Sequence, residues 1–183
     1  HEGEAFADAH TMVLAPVTAP VYCAGLPPKA LEHLNGVLKP YGMEAIAGPG
    51  KSRYTVPVKI EPGAALGSSL VSGDIDISTG GTVTYVDGDL ILGFGHPYME
   101  FGKVAFPLTT SWVHDFVPRY SRTDKMMSVM EDVGTITQDR NWAIGGILGP
   151  TAPKVPATIT ITDRSREITD TYRVEIMRQR VMT

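Results

Sequence analysis

Asp74-Ile75-Asp76-Ile77-Ser78-Thr79, Gly80-Gly81, Thr82-Val83-Thr84-Tyr85-Val86, Asp87-Gly88-Asp89, Leu90-Ile91-Leu92-Gly93-Phe94 and Gly95-His96-Pro97 follow one another without interruption. Apolar and polar residues alternate with period two on both sides of Gly80-Gly81, the pattern of strands whose side chains point to opposite faces in turn. The glycine pair reads as a break between two strands. Asp87-Gly88 predicts a tight hairpin, because its second position tolerates positive φ, and residues 90–94 form the return strand. The run ends in a sharp Gly-His-Pro turn, where Gly93, Gly95 and Pro97 constrain the backbone around His96 and hold its ring at a fixed angle.

The same reading extends toward the C-terminus. Residues 103–108 and 112–117 are two further candidate strands, and the polar stretch 119–125 reads as a surface loop. Residues 134–138 and 143–149 form a paired unit about the turn Asp139-Arg140-Asn141. Residues 155–162 and 169–177 close the chain as two long strands about Asp163-Arg164-Ser165-Arg166. Toward the N-terminus, residues 54–60 resume the strand-like alternation after the Gly48-Pro49-Gly50-Lys51-Ser52 break. Leu31, Leu34, Val37 and Leu38 instead fall at the three-and-four spacing of an amphipathic helix, which Pro28 suits at its start and Pro40 or Gly42 would stop. A first strand is expected over residues 11–17, behind a polar and acidic lead-in.

With 19 glycines and 14 prolines dividing short runs of Val, Ile, Thr and Tyr, the pattern is mainly β: many short strands, one substantial helix, and a barrel or sandwich as the architecture. One domain over 1–183 is the expectation. The subdivision the pattern admits is a small helical part at 11–52 beside a β-rich core at 53–178. Sixteen basic against 20 acidic residues and a hydrophobic fraction of 43% describe an ordinary globular chain. They argue against disorder and against a dedicated nucleic-acid surface. No run approaches the roughly 18 apolar residues that a membrane-spanning helix requires. The chain opens on His1 rather than Met, which reads as a processed product or an excised piece.

Candidate chemistry is sparse. A lone cysteine, Cys23, lies in the apolar run Val21-Tyr22-Cys23-Ala24, where a small buried hydrophobe is expected rather than a reactive thiol. Asp74, Asp76, Asp87 and Asp89 lack the glycine and terminal glutamate of an EF-hand loop and read as turn formers. His10, His33 and His114 are not spaced with Cys or Glu as a zinc site requires. His114 and Asp115, as neighbours on a strand, are expected to point to opposite faces. Gly145-Gly146-Ile147-Leu148-Gly149 has neither the lysine-serine pair nor the following helix of a phosphate cradle, and fits strand glycines that let backbones approach closely. Asp139 and Arg140 are second-rank candidates, with a structural pairing across their turn expected. No metal and no cofactor are expected. His96 remains, with a pKa that makes imidazole the usual general base for a hydroxyl nucleophile.

Three blocks in order resemble the SpoIVB family of serine peptidases. The first runs from Gly81-Thr82-Val83-Thr84-Tyr85 to Gly93-Phe94-Gly95-His96, the second from Val133 to Arg140 with Ala143 to Gly149, and the third begins at Val155-Pro156-Ala157. Together they cover roughly residues 60–178. The resemblance implies a chymotrypsin-like β-barrel, a closed antiparallel sheet, in a peptidase that is secreted or acts at a membrane face. It also implies a protein or peptide substrate and a catalytic histidine at His96. The family's nucleophile lies in a Gly-x-Ser-Gly-Ser-Pro element further downstream, which is absent between His96 and Thr183. Ser111, Ser121, Ser128 and Ser165 have no flanking glycines to shape a nucleophile turn or its oxyanion amides. Ser68 and Ser69 read as turn residues. Two explanations stand open: a serine supplied from outside this chain, or a non-catalytic binding or assembly module that kept the fold and lost the chemistry. The aromatic residues Phe94, Tyr98, Phe101, Phe106 and Trp112 would serve such a module as an interaction surface, or equally form core. Oligomeric state and partner identity stay open at this stage.

Overall fold

A computed structural model describes residues 19–52, 57–118 and 123–178. The expected strand at 11–17 lies outside these residues. The chain is mainly β, with one short helix. In order it forms β1 (Ala19–Ala24), α1 (Pro28–Leu38), a 3-10 turn (Lys39–Tyr41), β2 (Met43–Ala47), β3 (Ala65–Gly73) and β4 (Asp76–Asp87). Then follow β5 (Leu90–Gly93), β6 (Gly102–Pro118), β7 (Thr123–Arg140), β8 (Ala143–Leu148), β9 (Lys154–Asp163) and β10 (Ile168–Met177).

The helix lies where its apolar spacing places it, with Pro28 in the first turn and Gly42 at φ 67° closing the 3-10 turn behind it. Leu38 is buried and Leu31 and Leu34 pack on the core, whereas Val37 faces solvent. The Asn35 side chain donates to the Ala45 carbonyl at 2.9 Å and accepts from the Ala45 N–H at 2.6 Å, tying the helix to β2. Because α1 carries the chain back, β2 pairs with β1 in parallel, from Ala19 opposite Met43 to Cys23 opposite Ala47. A parallel pair needs such a crossover. The sheet is therefore mixed rather than wholly antiparallel.

All ten strands join one sheet in the order β2-β1-β4-β5-β8-β7-β6-β3-β10-β9, and β3 also pairs with β4. That extra pairing bends the middle of the sheet round into a partial ring through β4, β5, β8, β7, β6 and β3. Its shortest ladder is β3 to β6, with Leu66 opposite Thr110 and Gly67 opposite Thr109. Leu66, Val83, Ile91, Phe106, Leu108, Ile136 and Ile144 are buried, one or two from each of the six strands, in the ring's apolar core. Each such side chain contributes on the order of 1.5–3 kcal/mol by leaving water.

The hairpin at Asp87-Gly88-Asp89 forms as read, with Asp87 opposite Leu90 and Gly88 at φ 59°. Other boundaries differ. Gly80-Gly81 is no break: β4 runs straight through it. A Cβ on Gly80 would fall 1.9 Å from Met127 Sδ, and one on Gly81 would fall 2.6 Å from the Phe94 ring. These glycines make room for neighbours from other strands. Residues 103–108 and 112–117 are one strand, β6, bent at several bulges rather than broken. Thr123 to Lys125 begin β7 instead of ending a loop, residues 119–122 lying outside the described set. Residues 57–60 are not strand, and 54–56 also lie outside the described residues. Ser68 and Ser69 are not turn residues but buried members of β3.

Candidate functional site

Where β5 ends, Phe94 and Gly95 take φ of 71° and 72°, two left-handed residues in succession. Such a conformation costs a side chain with a Cβ about 1–2 kcal/mol, and the surrounding packing holds Phe94 in it. The Phe94 N–H donates to the Thr82 carbonyl at 2.9 Å, and its buried ring meets Tyr98 edge-on at 6.1 Å between centroids. The turn swings the chain out of the strand and delivers His96, half-buried, with its ring 5.5 Å from that of Phe94.

His96 Nδ1 lies 2.6 Å from the Pro97 carbonyl oxygen. A carbonyl only accepts, so Nδ1 carries the proton in the neutral ring and Nε2 carries the lone pair. This is the tautomer a general base needs.

The rest of the loop hangs on one carboxylate. Asp139, near the end of β7 and 1% exposed, accepts from the backbone N–H of Tyr98 and Met99 at 2.8 Å each and of Phe101 at 3.3 Å. Three amide donors compensate its burial, a geometry worth more per bond than neutral pairs. The expected pairing of Asp139 with Arg140 does not occur. As strand neighbours they face opposite ways, and Arg140 instead donates to Gln138 Oε1 from Nε at 3.0 Å and from its terminal nitrogen at 2.6 Å. Tyr98 is fully buried beside Asp139, and desolvation holds its phenol well above the ordinary range. The adjacent Ser68 hydroxyl acts in the opposite sense and the Asp139 charge adds to the rise. Neither hydroxyl completes a hydrogen bond of standard geometry.

His96 borders two concavities. One, of about 340 Å³, runs between Tyr41-Gly42 and the Pro97–Glu100 stretch. The other, of about 400 Å³, is walled by Tyr22, Gly81, Thr82, Phe94 and Lys125. In it Lys125 Nζ donates to Thr82 Oγ1 at 2.5 Å, and the Tyr22 hydroxyl donates to the Lys125 carbonyl. Thus β1, β4 and β7 meet across from the histidine with a cation, a hydroxyl and an aromatic ring. No separate signal in the sequence singles out Lys125, which falls in the stretch read as a loop.

No serine borders either concavity among the described residues. Ser111 is buried, and Ser165 sits in the β9–β10 turn, where its hydroxyl donates to Asp163 at 2.6 Å. Ser128 Oγ lies 2.8 Å from His114 Nε2, a serine-histidine contact. With Ser128 only 1% exposed in mid-strand, that hydroxyl is a satisfied core group. Ser121 lies outside the described residues. Asp74 and Asp76 accept backbone N–H groups of Arg173 at 2.7 Å and Lys51 at 2.9 Å, each pinning one segment to another. Cys23 is buried, and burial pushes its thiol up to about 11. Of the aromatic residues read as surface or core, Phe94, Tyr98 and Phe106 are core and Phe101 is exposed. Comparison of the chain with protein-family models, with curated proteins and with solved structures gave no match in any of the three.

Proposed function

We propose that this chain is the histidine-bearing part of a SpoIVB-like serine peptidase, with His96 as general base. The observation that carries the reading is the Nδ1–H to Pro97 carbonyl bond, which leaves the lone pair on Nε2 of a histidine that borders two concavities. In this role Nε2 takes the proton from a serine hydroxyl as its oxygen attacks the scissile carbonyl carbon. The resulting imidazolium then returns that proton to the leaving amine. The Pro97 carbonyl does what the carboxylate does in the serine-histidine-aspartate arrangement: it fixes the tautomer and the ring angle. The serine comes from a part of the protein other than the described residues. The partial ring is the counterpart, on this reading, of a chymotrypsin-like barrel, and the same resemblance assigns the protein to an extracytoplasmic location with polypeptide substrates.

A second reading is favoured by one observation: no described serine reaches the histidine. On it the chain is an inactive binding or assembly module that retains the fold. The two readings separate on His96→Ala in the full-length protein, assayed for peptide cleavage and, by pull-down, for partner binding. The peptidase loses cleavage with its fold intact; the module keeps its partner and never cleaved. A long-range proton–nitrogen spectrum of the His96 ring checks the tautomer, and a proton on Nε2 in the neutral ring would count against the general-base reading.

A further inference from the structure

Among the described residues β9 ends the sheet, paired to β10 on one side only. β10 in turn reaches β3 only through Val174, Glu175 and Ile176. Beyond the Asp74 contacts at Arg173 the two strands leave the sheet as a ribbon, and residues 158–162 and 168–171 are exposed on both faces. One face of that ribbon carries Ile159, Ile161 and Ile168 at 43%, 56% and 48% exposure, with Tyr172 opposite Ile159, Asp170 opposite Ile161 and Asp163 opposite Ile168. The other carries Thr158, Thr160 and Thr162 against Arg173, Thr171 and Thr169.

Natural sheets blunt such an edge with proline, lysine or an inward charge. β9 carries Lys154 and Pro156 in its first three residues, but residues 157–162, Ala-Thr-Ile-Thr-Ile-Thr, contain none of these. Both the unpaired ladder groups and the isoleucine row ask for an added strand, and β9 matches itself. An antiparallel copy related by a two-fold axis at Thr160 sets Thr160 against Thr160, Ile159 against Ile161 and Thr158 against Thr162. Apolar residues meet apolar and threonines meet threonines. The only charge in residues 157–163, Asp163, falls opposite Ala157, so like charges are not opposed within that segment. Centring the axis one side chain earlier or later on the same face, at Thr158 or Thr162, brings Pro156 into the ladder or sets Asp163 against Ile161. We infer that the occupant of this edge is a second copy of the chain, joined β9 to β9 about Thr160 in an isologous dimer.

The test uses sedimentation of the protein together with disulfide trapping. The parent chain is expected to sediment as a dimer, and Ile161→Lys or Thr160→Pro as a monomer with an unchanged circular-dichroism spectrum. Under mild oxidation Thr160→Cys is expected to form a covalent dimer. Thr158→Cys, which faces Thr162 of the other copy, is not. Cys23 is buried and does not compete. A parent that stays monomeric as concentration rises overturns the proposal, as does a dimer that survives Ile161→Lys or that traps at 158 and not at 160. A monomeric parent would leave the edge to a strand of some other protein.

Discussion

One buried carboxylate sets the conformation of the loop that carries His96. Removing it in Asp139→Ala leaves three backbone amides, that of Tyr98 buried and those of Met99 and Phe101 partly so, without an acceptor, and a loss of about 3–5 kcal/mol in chemical denaturation is expected. Asp139→Asn keeps an acceptor and should lose less. Cys23 makes a pH prediction. Its folded thiol is raised to about 11 from 9.0, so the unfolded chain releases the proton first. Stability is present in full below pH 9 and falls as pH rises toward about 11, which urea titrations across that range would detect. Tyr98 is raised as well and acts in the same direction at higher pH. At this scale the sequence was half legible. Two glycines and a proline marked His96, because strained turns need those residue types. Asp139 gave no such sign, since its three amide partners lie 38 to 41 positions away along the chain.

Strands and their turns were legible where alternation and turn chemistry act locally, as at Asp87-Gly88 and in the two C-terminal strands. They were misread where a distant neighbour decides. Gly80 looks like a break in sequence, yet it is a mid-strand residue whose missing Cβ is occupied by Met127. Gly80→Ala is therefore expected to cost about 1–3 kcal/mol through overpacking, measured against the parent by thermal melting. Glu167 is the opposite case: it takes φ of 57° in the exposed turn between β9 and β10, where a side chain is a burden. Glu167→Gly should stabilise the hairpin, by up to about 1 kcal/mol. The serines of β3 were misread for a related reason, since Gly67-Ser68-Ser69 has turn composition but lies against β4 on one side and touches β6 at Gly67.

Across the whole molecule, the mainly-β class followed from composition and spacing, while the order of strands did not. The sheet's path depends on β3 meeting β4 and β6 as well as β10, and only long-range packing specifies that. Leu108, fully buried in the ring, is expected to lose about 2–5 kcal/mol on truncation to alanine, more than any exposed apolar residue of the β9–β10 ribbon. His96 follows β5 of the partial ring, and the proposed function stands on a serine as the source of the proton that its Nε2 would take. Labelling of the full-length protein with a serine-directed fluorophosphonate addresses this most directly. The account predicts covalent labelling that His96→Ala abolishes while the fold is retained. An unlabelled parent, or labelling undiminished in His96→Ala, would contradict it.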